Sequence, residues 1–322
     1  MTADLHAEAE FLDVARTAFA SSDGEEALRS LGWWELLAHL DDPELRPAIY
    51  AVFRAQGSEL GSSAALGGLL AQPYLEHTDR VAGSVMSAIR RRSKTRGVVW
   101  VVVGDPADRE LLIDRPGAGA TIVAAADVSL RRIDVPGRLP LHEIQIDVDV
   151  LPSTIDEACA ATARERSLAI GRIAISLEIL GAAEKALELA VDYAGQRKQF
   201  GQAIGEFQAV RHLLAWAQTD CVALDSTALH ALRLGDDLPV GFDAVVKALA
   251  GRNGRRACER SLQVLGGIGF TTELDHHHLH SRVLALDGLL GTAASLSREL
   301  GLSLRTGGRH PGFPSALLLA DG

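Results

Sequence analysis

The chain has 322 residues, more than one hydrophobic core usually supports, so division into domains is expected. Hydrophobic residues make up 47% and charged residues 23%, an ordinary globular composition that excludes wholesale disorder. With 32 Lys+Arg against 42 Asp+Glu the formal charge is −10, which argues against nucleic acid or an anionic membrane as a partner, since both need attraction to phosphate.

Cys159, Cys221 and Cys258 are odd in number and far apart. They make no disulfide framework and fit a reducing, cytoplasmic compartment. The N-terminus is acidic and amphipathic, unlike a signal peptide. The longest purely apolar run, residues 98–103, has a strand's length and falls far short of a membrane span.

Residues 1–92 read as an N-terminal helical domain. Phe11, Leu12, Val14, Ala15, Ala18 and Phe19 form a helical stripe over 8–20. A second helix is expected over 25–40 with Pro43 as its stop, and a third runs from Pro43 through Phe53. The Gly- and Ala-rich stretch 57–71 suits close helix packing. Arg90-Arg91-Arg92-Ser93-Lys94 reads as a solvated linker, with binding of a ligand's phosphate as the alternative.

Residues 93–152 read as a small, mainly antiparallel β domain. Strands are expected over 98–103 and 111–113 and, with imperfect alternation, over 128–135. Ile144, Ile146, Val148 and Val150 facing away from Gln145, Asp147 and Asp149 mark a half-buried strand. Residues 153–306 read as a bundle of four long helices: 156–196, 205–234, 242–265 and 277–300. The first has no internal proline and spans about 60 Å at 1.5 Å per residue. Residues 307–322 read as a loose tail.

Two segments are far more specific than the rest. One is Tyr193-Ala194-Gly195-Gln196-Arg197-Lys198-Gln199-Phe200-Gly201, followed by Ile204, Phe207 and Gln208. The other is Gln263-Val264-Leu265-Gly266-Gly267-Ile268-Gly269-Phe270-Thr271. An arginine at a helix end can pair with a pyrophosphate through its planar fork of donors. Glycines after a helix let main-chain N–H groups approach a nucleotide. Taken singly, Arg197 could satisfy a helix C-terminus, Phe200 could be core, and Gly266-Gly267 could be a C-cap. Gly266 to Gly269 is no dinucleotide-fold fingerprint, because a helix precedes it.

In order and spacing the pair of segments resembles the C-terminal bundle of the acyl-CoA dehydrogenase family. The resemblance implies a mainly α fold with a small β domain: an N-terminal helical domain, a reduced middle β domain and a C-terminal four-helix bundle. It also implies FAD as cofactor, with Arg197, Phe200, Gln208, Gln263, Gly266 and Gly267 contacting its adenosine and pyrophosphate.

The family removes the α-proton of a thioester with a glutamate, which must be a desolvated carboxylate with a raised pKa. The matching segment here is Leu289-Leu290-Gly291-Thr292, with Leu290 at the base position. The family's other base position, on the first bundle helix, falls on Gly171, beside Arg172, which matches a family arginine. Glu165 and Glu178 are the nearest carboxylates on that helix. The ring-binding Thr-Glu-Pro and Trp-x-Thr-Asn-Gly segments have no counterpart, and Gly104-Asp105-Pro106 is the nearest fragment.

The pattern resembles the short, base-lacking subunits of actinobacterial heteromeric acyl-CoA dehydrogenases. It implies no catalytic residue in this chain, an α2β2 assembly with a longer subunit carrying the glutamate, an acyl-CoA substrate of lipid or steroid catabolism, and an electron-transfer acceptor. A homomeric enzyme using Glu165 or Glu178, and a flavin-free acyl-CoA-binding scaffold, remain as alternatives. His276-His277-His278 and His280 read as polar surface or interface residues and not as metal ligands, because consecutive helical residues point apart. No Gly-x-Ser-x-Gly, paired-Cys or His-Glu-x-x-His motif supports hydrolase chemistry.

Overall fold

The computed structural model describes residues 2–93, 97–106, 108–147 and 151–306. The expected tail 307–322, Lys94, Val148 and Val150 lie outside them.

Helix α1 (Thr2–Ser21) lays Ala15 and Phe19 into the core. The helix expected over 25–40 is instead two: α2 (Gly24–Ser30) and α3 (Trp33–Leu37). Gly32 takes φ 59° between them, a left-handed conformation that glycine adopts without a Cβ clash. The redirected chain buries Trp33, whose Nε1 donates to the Ile49 carbonyl at 3.1 Å. Helix α4 (Arg46–Ser58) and α5 (Ala65–Leu75) follow. The small residues do bring helices close. A Cβ on Gly57 would stand 2.0 Å from the Glu178 carbonyl oxygen, and one on Gly181 1.9 Å from that of Arg54.

The basic run is not a linker. Residues Ile89–Ser93 form β2, antiparallel to β3 (Gly97–Val103), at the edge of a four-stranded sheet β2-β3-β7-β6. An edge strand tolerates consecutive charges, which also discourage pairing with another chain. In that sheet β6 is Ser129–Ile133 and β7 Leu141–Gln145. A second sheet, β1-β4-β5, joins Val85–Ser87, Glu110–Arg115 and Gly119–Ala124, with β1 parallel to β4. Strands thus begin at Val85, ahead of residue 93, where the β domain is expected to start.

Helix α6 (Glu157–Gln196) is unbroken over 40 residues and starts at Asp156, whose side chain accepts the Cys159 N–H at 3.0 Å. The tight pair β8 (Lys198–Gln199) and β9 (Gln202–Ala203) and a 3-10 turn at Ile204–Glu206 lead to α7 (Gln208–Leu234). Helix α8 (Phe242–Leu265) has the expected bounds. The expected last helix is two, α9 (His276–Asp287) and α10 (Ala293–Arg305). Leu290 at φ 54° and Gly291 at φ 106° turn the chain between them, and the Thr292 side chain caps α10 by accepting from Ser295 N.

One buried ion pair ties the parts together. Arg282 of α9 and Glu178 of α6 are both fully buried. Arg282 donates to Glu178 Oε1 through Nε at 2.8 Å and Nη2 at 2.5 Å. Its remaining donors reach the carbonyls of Gly61, Gly137 and Arg138. Bundle, N-terminal helices and β region therefore meet on one guanidinium.

Candidate functional site

The two sequence positions at which the family carries its base stand side by side. A Cβ built on Gly171, in the middle of α6, would lie 2.7 Å from Leu290 Cδ1 and 2.4 Å from Leu70 Cδ2 of α5. Leu290 and Leu70 line a cleft of about 860 Å3 between the β region, α5, α6 and the α9–α10 turn, and Gly171 lies directly behind them. The cleft's wall is apolar where the base would stand.

The turn carrying Leu290 is gripped from two helices. Arg172 donates from Nε to the Leu290 carbonyl at 3.0 Å and from Nη1 to Asp243 Oδ2 at 2.8 Å. Lys247 of α8, fully buried, donates to the carbonyls of Asp287 at 3.2 Å and Gly291 at 3.1 Å. Burial pulls the Lys247 ammonium down to about 8, against the opposing pull of Asp287. Asp287 Oδ1 in turn accepts the Ala293 N–H at 2.9 Å. Lys247 and Asp243 were open to detection as charges inside the otherwise apolar start of α8, spaced i, i+4 on one face.

Asp114 and Glu157, near the cleft, are engaged. Arg164 takes both oxygens of Asp114, at 2.5 and 2.8 Å, and also binds Glu157. The hydrogen bonds from Arg164 and from the Gly117 and Gly119 N–H groups hold Glu157 down to about 2. Glu299 is exposed on α10. Of the alternative bases, Glu178 is consumed by Arg282, and Glu165 is exposed and lines a different cavity. A carboxylate locked to a guanidinium in the core cannot reach a substrate proton. That removes Glu178 as a base.

At the other end of α6 the two specific segments converge. Tyr193, Ala194 and Ile204 pack with Val210, Val264, Leu265 and Ile268 in one small cluster. Their apolar residues are turned in, and the residues of interest are turned out. Arg197, Gln208, Gln263, Gly266 and Gly267 are all exposed. Arg197 has no carboxylate partner among the described residues. Phe200 is 93% exposed at φ 52°, with its ring edge-on to Phe207 at 6.3 Å, so it is not core. Nothing lies within 4 Å of a Cβ built on Gly266 or Gly267, so the space beside both is open, while the Gly266 N–H is spent on the Leu262 carbonyl.

Of the four histidines only His276 departs from the expected surface or interface placement. His276 is fully buried, with Nε2 3.0 Å from the Cys258 carbonyl, and none of the four is fully exposed. They sit where α9 closes onto α8, which the apolar phase of Leu279 and Val283 demands. Among the described residues no group of three metal-ligating side chains converges, and no helix is long and apolar enough to cross a membrane.

This architecture, a helical domain, a small β region and a helical bundle with the two specific segments at one end, is the acyl-CoA dehydrogenase fold. Residues 161–301 match the acyl-CoA dehydrogenase C-terminal domain, so the bundle is a domain of that type. The chain is 30% identical over 297 residues to acyl-CoA dehydrogenase FadE34 of Mycobacterium tuberculosis, covering 86% of this chain and 38% of that protein. It is 26% identical over 262 residues to 3-sulfinopropanoyl-CoA desulfinase of Paraburkholderia xenovorans, covering 72% and 67%. The chain thus spans less than two fifths of FadE34. Among solved structures, the Tcur3481-Tcur3483 steroid ACAD superposes with a TM-score of 0.75 at 23% identity over 94% of this chain and 99% of that one. The ChsE4-ChsE5 complex of Mycobacterium tuberculosis gives 0.70 at 20% identity over 93% and 97%.

Proposed function

We propose that this chain is the non-catalytic subunit of a FAD-dependent acyl-CoA dehydrogenase built from unlike chains, in which it completes the flavin site of a longer partner. The observation that carries the reading is Gly171 against Leu290. The two places able to present a base pack against each other, Leu290 in the cleft wall and Gly171 behind it, and neither is an acid. A leucine and a glycine cannot take a proton from a thioester's α-carbon.

The nucleotide end supports the other half of the reading. An exposed guanidinium without a carboxylate, together with two glycines whose Cβ positions face open space, fits a diphosphate. Arg197 would bind the pyrophosphate, the chain at Gly266 and Gly267 would let it approach closely because no Cβ stands in the way, and Gln208, Gln263 and Phe200 would contact the adenosine side. The β region offers no matching segments for the isoalloxazine ring, so the fit covers the adenine-diphosphate half alone. FAD bound in the assembly supplies the hydride acceptor for α,β-desaturation. The partner subunit brings the glutamate, and electrons pass on to an electron-transfer acceptor.

The names of two structural relatives, a steroid ACAD and a two-component complex, favour an α2β2 heterotetramer and a substrate class of lipid or steroid acyl-CoA thioesters. A cytoplasmic setting fits the unpaired cysteines. The three-part division at residues 1–92, 93–152 and 153–306 is part of the same reading. To test it, the chain is purified alone and with the longer subunit, and flavin absorbance and desaturation are compared. Colourless, inactive chain and yellow, active complex are expected. Yellow, active protein from this chain alone overturns the proposal.

A further inference from the structure

A second cavity, of about 590 Å3, lies between α4, α6 and the α7–α8 connection, and shares only Leu168 and Arg172 with the cleft. Its walls are mostly apolar, but one buried cation lines it. Arg46 is 8% exposed and has no carboxylate partner among the described residues. Its Nε, Nη1 and Nη2 each donate to one carbonyl: Leu40 at 3.1 Å, Leu232 at 3.1 Å and Asp41 at 3.0 Å. A guanidinium has five N–H donors, so two are left. The carbonyls near the ends of α3 and α7 offset part of the charge; an anion at the remaining donors would complete it.

Tyr50, 2% exposed, lines the same space, and its hydroxyl makes one long bond, to the Ile170 carbonyl at 3.4 Å. The other guanidinium groups of the cavity are taken. Arg166 binds Asp41 and Glu76, and Arg172 binds Asp243. Glu165 and Asp236 are exposed on its lining, and their charge opposes entry of a polyanion.

We propose that this cavity binds an apolar molecule carrying a single carboxylate, which sits on Arg46 and Tyr50 with its hydrocarbon body against Leu40, Ile173 and Leu232. A phosphate-bearing thioester is disfavoured by the rim. A cavity of this volume is within the range that holds small ligands.

The test is calorimetric titration of the full chain with decanoate, decan-1-ol and decanoyl-CoA; it needs neither flavin nor partner, so it succeeds or fails apart from the subunit assignment. Decanoate is expected to bind saturably and about tenfold tighter than decan-1-ol, as a charge-assisted contact requires. Val240→Trp, at an exposed rim position, should weaken decanoate about tenfold or more, and Glu299→Trp, in the other cleft, should leave it unchanged. Arg46→Gln should erase the advantage over decan-1-ol. If that variant does not fold, Tyr50→Phe, which removes the hydroxyl alone, should reduce it. Absence of saturable decanoate binding, equal affinity for decan-1-ol, displacement of decanoate by equimolar decanoyl-CoA, or sensitivity to Glu299→Trp in place of Val240→Trp each overturns the proposal.

Discussion

Replacing Glu178 by leucine separates a structural carboxylate from a catalytic one. In the folded chain Arg282 spends two donors on Glu178 Oε1 and the rest on three carbonyls, with neither partner exposed. Glu178→Leu keeps roughly the side-chain volume but leaves a guanidinium in the core without its anion. Breaking a buried pair from one side destabilises by about 3–5 kcal/mol, and for a chain of this size that corresponds to a melting temperature lower by about 5–10 °C. Urea unfolding followed by far-UV circular dichroism reads the loss as a shift in midpoint at constant slope. Arg282→Leu and the double variant complete a cycle, in which a coupling of about 1–3 kcal/mol is expected because the double variant buries no lone charge. Wild-type stability of Glu178→Leu, or strict additivity of the two single losses, would refute the structural assignment. In the assembled complex Glu178→Gln should keep turnover wherever the protein stays folded, since a base would be lost by that change and a core partner only weakened.

Gly171→Ala places a methyl group against Leu70 and Leu290, an overpacking worth about 1–3 kcal/mol. Adding Leu290→Ala should return part of it in thermal melts, and a lack of rescue would mean that the two positions do not touch. Arg197→Ala should leave the isolated chain's stability within about 0.5 kcal/mol, as for an exposed side chain without partners, while lowering the flavin content of the co-purified complex. Unchanged flavin content would remove Arg197 from the site. Burial lowers the pKa of both His276 and His280 below 6.5, so the unfolded chain binds more protons than the folded one as pH falls below that value. Stability should therefore decline from about pH 6.5 downward and level off once the folded histidines titrate. A His276→Asn, His280→Asn variant whose urea midpoint shows the same acid-side slope would show that these rings do not contribute.

The sequence by itself determined the long helices α6, α7 and α8, because apolar residues at a 3.6-residue period and the absence of internal proline act locally. It also determined the two specific segments around Arg197 and Gly266 and the lack of an acid at Gly171 and Leu290, since residue identity needs no coordinates. Only the tertiary structure decided that Gly171 and Leu290 are neighbours: they are 119 positions apart in sequence, and no local signal links them. The same holds for the break at Leu290, a non-glycine residue in a left-handed conformation kept there by Arg172 and Lys247, where helical periodicity alone predicts a continuous helix over 277–300. The edge strand at Ile89–Ser93 was hidden because its arginines carry no apolar alternation, and its hydrogen bonds come from β3. Glu178, legible as one acid inside an apolar run, acquires its role only when Arg282 arrives from another helix, because a buried charge is defined by what surrounds it and not by its place in the chain.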